Sequence, residues 1–244
     1  MINKETIIEN IKTLFYAFII AIIIRSLLIQ PFYIPSSSME PNLLIGDRLF
    51  VTKYSYGYSK HSFPFSPSIL NKRIFFSNPE RGDVAVFKTP ADNRTDYIKR
   101  LIGLPGDSVQ FIDANLYINN SEILKSRQST KNKIFCGSQI IDVFTFEEKL
   151  PNGKSHTIVY LKNFPYQNSD LFIVPKDHYF FLGDNRDCSK DSRFLSSVGY
   201  VHKENLVGKA QYIFFSSDKS MGRLFEFWKW HKSIRFNRFF KKII

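Results

Sequence analysis

A β-strand pattern is clearest in Asp96-Tyr97-Ile98-Lys99-Arg100-Leu101-Ile102-Gly103, which leads directly into the turn residues Leu104-Pro105-Gly106-Asp107. Aromatic and β-branched residues favour a pleated strand, and a Pro-Gly pair ends one. Because side chains alternate across a strand, Lys99 shares a face with Tyr97, and Arg100 points the other way. Lys99 is desolvated if its face is inward. The alternative is an exposed strand lysine beside an arginine.

Other short runs of β-branched and aromatic residues follow the same pattern between turns rich in Gly, Pro and Asp. After the N-terminal segment no long helical periodicity interrupts them. The sequence therefore predicts a mainly β fold, in which an N-terminal transmembrane helix precedes an antiparallel β body. The clearest runs are residues 49–52, 84–87, 178–182 and 206–210.

Between residues 112 and 175 the composition changes to Asn, Ser, Lys and Thr with scattered strand patterns. Leu150-Pro151-Asn152-Gly153-Lys154 predicts a hairpin turn there, and we find no site chemistry in this region. We interpret it as an inserted β subdomain. The predicted organisation is an N-terminal segment (1–10), a transmembrane anchor (11–30), a main β domain (31–111 and 176–218), for which a catalytic role is argued below, the insert (112–175) and a basic aromatic tail (219–244).

The predicted anchor is apolar at nearly every position from Ile11 to Ile29, with Lys12 and Arg25 near its ends. A helix of this length spans about 28 Å, close to the hydrocarbon thickness of a bilayer. A cleavable signal peptide is the alternative, but residues 25–31 lack the small residues of a cleavage site. The distribution of Lys and Arg weakly favours a cytoplasmic amino terminus and an extracytoplasmic body.

Charge and cysteine content limit the possible functions. The formal charge is +12, and the last 26 residues hold eight basic residues against one acid, Glu226. In the tail, the apolar residues Phe236, Phe239, Phe240, Ile243 and Ile244 keep helical spacing, so we expect a basic amphipathic helix on the membrane surface or a helix docked on the body. Cys136 and Cys188 allow one disulfide outside the cytosol, but two isolated thiols are the preferred interpretation. No zinc or nucleotide-binding motif occurs, so we expect neither metal nor cofactor.

Three serines follow the anchor in Ile34-Pro35-Ser36-Ser37-Ser38-Met39-Glu40-Pro41. Prolines on both sides disfavour a helix or a strand interior and favour a rigid turn that presents hydroxyl groups. A serine becomes a good nucleophile only when a base takes its proton, and none of the histidines lies in a triad-like motif. A buried lysine can be that base because desolvation lowers its pKa, and Lys99 has the required setting.

A charged loop, Gly183 to Arg193, follows the apolar run 178–182 and is a second candidate for function. The alternative is a solvated hairpin tip. Together, Ser36-x-Ser38-Met39-x-Pro41, Arg81-Gly82-Asp83, residues 97–107 and the loop 183–193 resemble, in order, the motifs of bacterial type I signal peptidases. The resemblance covers Phe32 to about Ala210 apart from the insert.

The resemblance implies that Ser38 is the nucleophile and Lys99 the general base of a membrane-bound serine endopeptidase. The Ser38 N–H and the Ser36 hydroxyl would form the oxyanion hole, and Ser189 would hold Lys99 by a hydrogen bond. Supporting roles fall to Asp191 and Arg193, as an ion pair, and to Asp184 and Arg186. Substrate pockets that accept small side chains, typically Ala, would be lined by Phe32, Ile34, Met39, Leu43, Leu49, Asp96, Tyr97 and Ile98.

Two positions depart from the family pattern. Cys188 stands where asparagine is frequent, and we expect a small buried residue there, although a reactive thiol is the alternative. Glu40 adds an acid next to the nucleophile. We expect it to point to solvent; pointing inward, it would raise the pKa of Lys99.

The expected function is therefore cleavage of signal peptides from exported preproteins at Ala-x-Ala-like sites. The expected partners are those peptides and the lipid bilayer, with no nucleic acid, and the expected location is the bacterial inner membrane with the body on the periplasmic side. A self-cleaving repressor with the same Ser–Lys chemistry is disfavoured by the anchor and by the lack of a DNA-binding domain. A membrane-tethered, non-catalytic peptide-binding module is the alternative from a different class.

Overall fold

The structure is a computed structural model and describes residues 4–68, 70–129, 132–137, 139–162, 168–218, 228 and 230–244. The helices within these ranges are α1 (Lys4–Ile23), which continues as a π-helical turn (Ile24–Leu28), and α2 (Trp230–Ser233). Short 3-10 turns lie at Lys60–Ser62, Lys203–Asn205 and Phe236–Arg238. The strands are β1 (Ile29–Tyr33), β2 (Asp47–Thr52), β3 (Val84–Lys88), β4 (Asp96–Gly103), β5 (Ser108–Ile112), β6 (Asn115–Ile118), β7 (Ser121–Glu122), β8 (Lys125–Arg127), β9 (Asn132–Cys136), β10 (Gln139–Lys149), β11 (Ser155–Leu161), β12 (Phe172–Ile173), β13 (His178–Leu182), β14 (Val201–His202), β15 (Leu206–Ser216) and β16 (Lys241–Lys242).

The largest sheet has the strand order β1-β2-β15-β3-β4-β13-β14, and β16 also pairs with β15. Its neighbouring strands are antiparallel, which confirms the predicted mainly β, antiparallel fold. Strands β4 and β13 have the predicted bounds. In this sheet Lys99 of β4 lies opposite Ala85 of β3, with β13 on the other side of β4.

Two smaller sheets are built entirely from strands between β4 and β13. One has the order β12-β5-β6-β7, and the other has the order β11-β10-β8, with β9 also paired to β10. The predicted hairpin turn joins β10 to β11. A shared core links the first of these sheets to the large one, because Phe111 and Leu116 pack in one cluster with Ile102 and Phe180. The division into a catalytic domain and an insert at 112–175 stays a prediction.

The N-terminal helix projects from the body. None of the residues of α1 is buried, and Leu14 exposes 70% of its surface. The helix and its π-helical extension, Lys4–Leu28, are long and apolar enough to cross a membrane. An unburied apolar helix of this length has no core to enter within the described structure, so a bilayer is the environment that its surface suits.

The C-terminal tail differs from the prediction of an amphipathic helix. Residues 219–227 and 229 lie outside the described residues. Beyond them the chain forms α2, a 3-10 turn and β16, which pairs with β15. Arg238 is buried and forms an ion pair with the buried Asp47 at 2.5 Å, and Ile243 packs against the core of the large sheet. Pairing with β15 and the ion pair with Asp47 therefore determine the structure of the tail, although its local spacing favoured a helix.

Candidate active site

The nucleophile candidate lies in the turn between β1 and β2. Backbone hydrogen bonds from Ile34 N to Asp47 O (2.9 Å) and from Gly46 N to Ile34 O (3.0 Å) close the base of this turn. Met39, directly after Ser38, is fully buried and anchors the turn in the core. Ser38 itself is 7% exposed, and its carbonyl accepts a hydrogen bond from Asn185 N at 3.2 Å. The turn therefore holds Ser38 in a fixed position at the surface of the body.

Lys99 reaches this serine from the neighbouring part of the sheet. Its Nζ lies 2.6 Å from Ser38 Oγ and 3.0 Å from the carbonyl oxygen of Ile98. The side chain is buried, and this burial lowers the pKa of Lys99 to about 8, although Asp191 and Asp184 act in the opposite direction. A lysine with such a pKa is neutral in an appreciable fraction of molecules near neutral pH, so it can accept a proton.

Ser36 and Ser37 occupy different environments. Ser36 is exposed, and its Oγ lies 3.4 Å from Ser38 Oγ. Ser37 is buried, and its carbonyl accepts a hydrogen bond from Asn185 Nδ2. Of these two hydroxyl groups, that of Ser36 lies beside Ser38 Oγ.

The charged loop after β13 supports the lysine with a buried ion pair. Arg193 Nε and Nη2 donate to the two oxygens of Asp191 at 2.8 and 2.9 Å, and Gly183 N also donates to this carboxylate at 3.0 Å. These contacts hold the pKa of Asp191 below its usual value against the effect of its burial. The paired carboxylate keeps its negative charge close to Lys99.

Ser189 does not make the predicted hydrogen bond to Lys99. Its Oγ is buried and has no hydrogen-bond partner within the described part of the chain. The hydroxyl instead packs closely against Gly183, where an added Cβ would come within 2.2 Å of Ser189 Oγ and 2.5 Å of the Ser38 carbonyl oxygen. Glycine at position 183 therefore allows the loop and the nucleophile turn to approach each other.

A second buried network lies on the opposite face of β4. Arg100 binds Asp184 through two hydrogen bonds of 2.7 and 2.8 Å, and Arg186 binds Glu148 in the same bidentate way. His156 is buried between these pairs, 3.4 Å from Glu148. Arg100 points away from Lys99, as predicted, but into a buried layer. The β10–β11 hairpin supplies Glu148 and His156 to this buried layer and so helps to cover the second face of β4. The sequence pattern did not indicate that the hairpin packs there.

A cleft of about 550 Å³ is lined by Ser38 and Lys99. Five of the residues predicted to bind substrate line it: Phe32, Ile34, Asp96, Tyr97 and Ile98. The remaining lining residues, which the sequence did not single out as pocket residues, are Tyr33, Pro35, Val86, Thr95, Cys188 and Lys190, together with Ser36. Val86 lies opposite Ile98 in the β3–β4 pairing, so strand register is the signal that could have found it.

Comparisons with known proteins identify the family of this chain. The model of the family "Signal peptidase, peptidase S26" matches residues 7–215. The chain belongs to the signal peptidase family. Signal peptidase I of Rickettsia bellii is 41% identical over 258 residues, covering 99% of this chain and 87% of the relative. Signal peptidase I of Rickettsia typhi is 40% identical over 259 residues, covering 99% and 96%. A crystal structure of a signal peptidase I from Enterococcus faecalis V583 has 28% identity and a TM-score of 0.34, covering 55% of this chain and 97% of that chain.

Membership of the signal peptidase family makes the chain a serine endopeptidase, as the motifs predicted. For three of the residues predicted to line the substrate pockets, however, the prediction is wrong. Met39, Leu43 and Leu49 are buried in the core beneath the cleft and do not line it. They lie on the inward side of the turn and of β2, so their proximity in sequence to Ser38 was misleading.

Glu40 also differs from its prediction. It is buried, its Oε2 accepts a hydrogen bond from Phe135 N at 3.0 Å, and burial raises the pKa of its carboxyl group. The charges that raise the pKa of Lys99 are Asp191 and Asp184, so the expected influence of an inward Glu40 on Lys99 is wrong. The β9–β10 hairpin, which the sequence could not place, explains why this acid turns inward.

The cysteines of this signal peptidase are joined, contrary to the preferred interpretation of two isolated thiols. Cys136 in β9 and Cys188 in the charged loop form a disulfide across 52 residues of sequence. Cys188 lines the cleft, so it is neither the small buried residue that we expected nor a reactive thiol. Sequence separation alone could not reveal the pairing, since it depends on how the β9–β10 hairpin lies over the loop.

Proposed function

We propose that this signal peptidase removes signal peptides from exported preproteins with Ser38 as nucleophile and Lys99 as general base. The observation that carries the proposal is the distance of 2.6 Å between Lys99 Nζ and Ser38 Oγ. It is supported by the burial that lowers the pKa of Lys99 to about 8.

In the first step, neutral Lys99 accepts the proton of the Ser38 hydroxyl as Oγ attacks the carbonyl carbon of the scissile bond. A tetrahedral intermediate forms, and its oxygen carries the negative charge. Donors from the Ser38 backbone N–H and the Ser36 hydroxyl stabilise this oxyanion; each such donor contributes about 3 kcal/mol in enzymes of this kind. The distance of 3.4 Å between Ser36 Oγ and Ser38 Oγ supports this role for the Ser36 hydroxyl.

In the second step, the intermediate collapses and the peptide C–N bond breaks. Lys99, now an ammonium group, returns its proton to the leaving amine of the mature protein, and the signal peptide remains as an ester on Ser38 Oγ. Water then attacks this ester, and neutral Lys99 takes a proton from it as base. The ester C–O bond breaks, Lys99 returns the proton to Ser38 Oγ, and the signal peptide leaves with a free carboxylate.

The proposed substrates carry Ala-x-Ala-like sites. An extended peptide fits a cleft bounded on one side by the β1–β2 turn and on the other by β4. Phe32, Ile34, Val86 and Ile98 give the cleft an apolar lining, which suits small apolar side chains on both sides of an intervening residue.

We also propose that the helix Lys4–Leu28 is a single membrane anchor and that the body lies outside the cytoplasm, on the periplasmic side of the inner membrane. The disulfide between Cys136 and Cys188 supports this orientation, because such bonds persist in oxidising compartments and are rare in the cytosol. Signal peptides emerge at the same membrane face, so the anchor brings the cleft to its substrate.

A preprotein with an Ala-x-Ala site, incubated with the full-length chain in neutral detergent, tests the function. The wild type should release the mature protein, whereas Ser38→Ala and Lys99→Ala should not. Circular dichroism of each variant provides the folding control. Undiminished cleavage by either variant would refute the assignment of Ser38 and Lys99, and no cleavage by a folded wild type would refute the substrate class.

A further inference from the structure

A second cavity, of about 570 Å³, lies beside the substrate cleft and shares Phe32 and Asp96 with it. Its wall includes Arg25 from the end of the helix, Lys60 and Phe65 from the loop after β2, and Arg94 from the β3–β4 turn. The proposed reaction uses none of these four residues. The cavity therefore needs an explanation apart from catalysis.

The cavity is rich in positive charge that is not neutralised internally. Four cations, Arg25, Lys60, Lys88 and Arg94, face two carboxylates, Asp92 and Asp96. Asp96 is paired with Lys88 at 2.9 Å. Among the described residues, no ion pair is found for the side chains of the other three cations.

The second carboxylate, Asp92, is also already engaged. It accepts hydrogen bonds from the backbone N–H groups of Arg94 and Thr95 and from the Thr95 hydroxyl, all within its own turn. These hydrogen bonds lower the pKa of the Asp92 carboxyl. Asp92 therefore stays ionised, and with four cations against two carboxylates the cavity wall carries a net charge of +2, which favours an anion from outside.

The ionisation of neighbouring groups agrees with an excess of positive charge. Burial first, and then Lys60, Lys88, Arg73 and Lys53, lower the pKa of His61 to about 4. His61 lines the cavity and is neutral at physiological pH. Its Nδ1 forms a hydrogen bond of 2.9 Å with Ser66 Oγ. An anion in the cavity would reduce the mutual repulsion of the surrounding cations.

The cavity lies at the end of the proposed membrane span. Tyr58 Oη donates to the carbonyl of Leu27 at 2.9 Å, and Lys53 N donates to the carbonyl of Leu28 at 2.9 Å. These bonds fix the loop that carries Lys60 against the last turn of the helix. On the same loop Phe65 is fully exposed, as is typical of aromatic residues that lie in a membrane interface.

We propose that this cavity binds the phosphate group of an anionic membrane phospholipid, with Arg25, Lys60 and Arg94 as its cationic partners and Phe65 in the interface beside it. The inference rests on the membrane anchoring proposed above. A bound headgroup would fix the height of the substrate cleft above the bilayer, because the two cavities share a wall. A phosphate oxygen accepts hydrogen bonds from guanidinium and ammonium groups at once, which fits this set of donors.

The full-length chain in a neutral detergent can be titrated with phosphatidylglycerol, phosphatidylcholine or inorganic phosphate, and bound molecules counted by native mass spectrometry. The wild type should retain one phosphatidylglycerol in preference to phosphatidylcholine. The double variant Lys60→Glu/Arg94→Glu should bind this lipid at least about tenfold more weakly, since each basic group near an anionic lipid contributes to the binding free energy. The control Lys149→Glu/Lys176→Glu changes the same charge at exposed sites elsewhere and should bind as the wild type does.

Equal retention by the wild type and the Lys60/Arg94 variant would overturn the proposal, as would binding of inorganic phosphate as tight as that of phosphatidylglycerol. A third result against it would be unchanged lipid retention with a raised KM for peptides that carry acidic residues, because the cavity would then be a substrate subsite. Cleavage of a preprotein in the same detergent, without lipid, reports on the proposed function separately and shows that each variant is folded. If the glutamate variant does not cleave, Lys60→Gln/Arg94→Gln replaces it in the lipid titration.

Discussion

Lys99 and Ser38 are 61 positions apart in sequence, yet their side chains meet at 2.6 Å in the wall of the cleft. The contact depends on two separate elements: a closed turn that fixes the serine and a central strand that buries the lysine. Burial is the largest influence on the lysine and brings its pKa to about 8. The chemistry of this site therefore follows from how these two elements pack.

The first prediction concerns pH. Only neutral Lys99 can accept the serine proton, so kcat/KM should rise as pH increases through about 8 and level off above it. Initial rates on a preprotein between pH 5 and pH 10 would show this limb. A profile governed only by a group that titrates near pH 4 would contradict the assignment of Lys99 as base.

The second prediction concerns the oxyanion hole. Ser36→Ala should lower kcat by about 100-fold to 1000-fold and leave KM nearly unchanged, because the lost hydrogen bond forms only with the oxyanion. Ser37→Ala is the matched control, since Ser37 does not line the cleft and its carbonyl, which Asn185 binds, is kept. Equal kinetics for the two variants would remove Ser36 from the mechanism.

The third prediction concerns the buried pair behind β4. Asp184→Ala should destabilise the protein by roughly 3 to 5 kcal/mol, because it leaves Arg100 charged and buried without its partner. Asp177→Asn, which removes the charge from an exposed pair with Lys203 and tolerates the left-handed backbone at this position, should leave Tm close to that of the wild type. Thermal unfolding of both variants measures the difference. Similar Tm values would show that Arg100 has other adequate partners.

The fourth prediction concerns the disulfide. Cys136→Ser/Cys188→Ser should lower the free energy of unfolding by about 4 kcal/mol, as expected for a cross-link that closes a loop of this length. Cleavage should fall as well, since Cys188 precedes Ser189 and lines the cleft. The reduced wild type should match the variant in denaturant unfolding. Free thiols in the untreated, denatured wild type would show that the bond does not form.

The fifth prediction concerns Glu40. Burial raises the pKa of its carboxyl group in the folded state, so the stabilising effect of the protonated form is complete below the unfolded pKa and is lost as pH rises through the folded one. Glu40→Gln, which stays neutral and keeps an oxygen for Phe135 N, should raise Tm at pH 7 and change it little at pH 4. A lower Tm at pH 7 would show that the charged carboxylate is the stabilising form.

The sequence by itself was enough for the features that depend on local periodicity and on the order of motifs. Alternation and turn residues located β4 and β13 at their observed bounds, and the motifs around Ser38 and Lys99 led to the signal peptidase family. The apolar run after the amino terminus corresponds to the exposed helix. Each of these features can be read within a few neighbouring residues, because side-chain direction and turn chemistry are local properties.

Only the tertiary structure decided which surfaces are covered. It placed Leu49 in the core instead of the cleft, turned Glu40 inward toward Phe135, joined Cys136 to Cys188, and made the last residues a strand where their spacing favoured a helix. All four outcomes depend on contacts between segments that are distant in sequence. Burial and pairing are properties of such contacts, and the free energy gained from them exceeds the weak preferences of single segments.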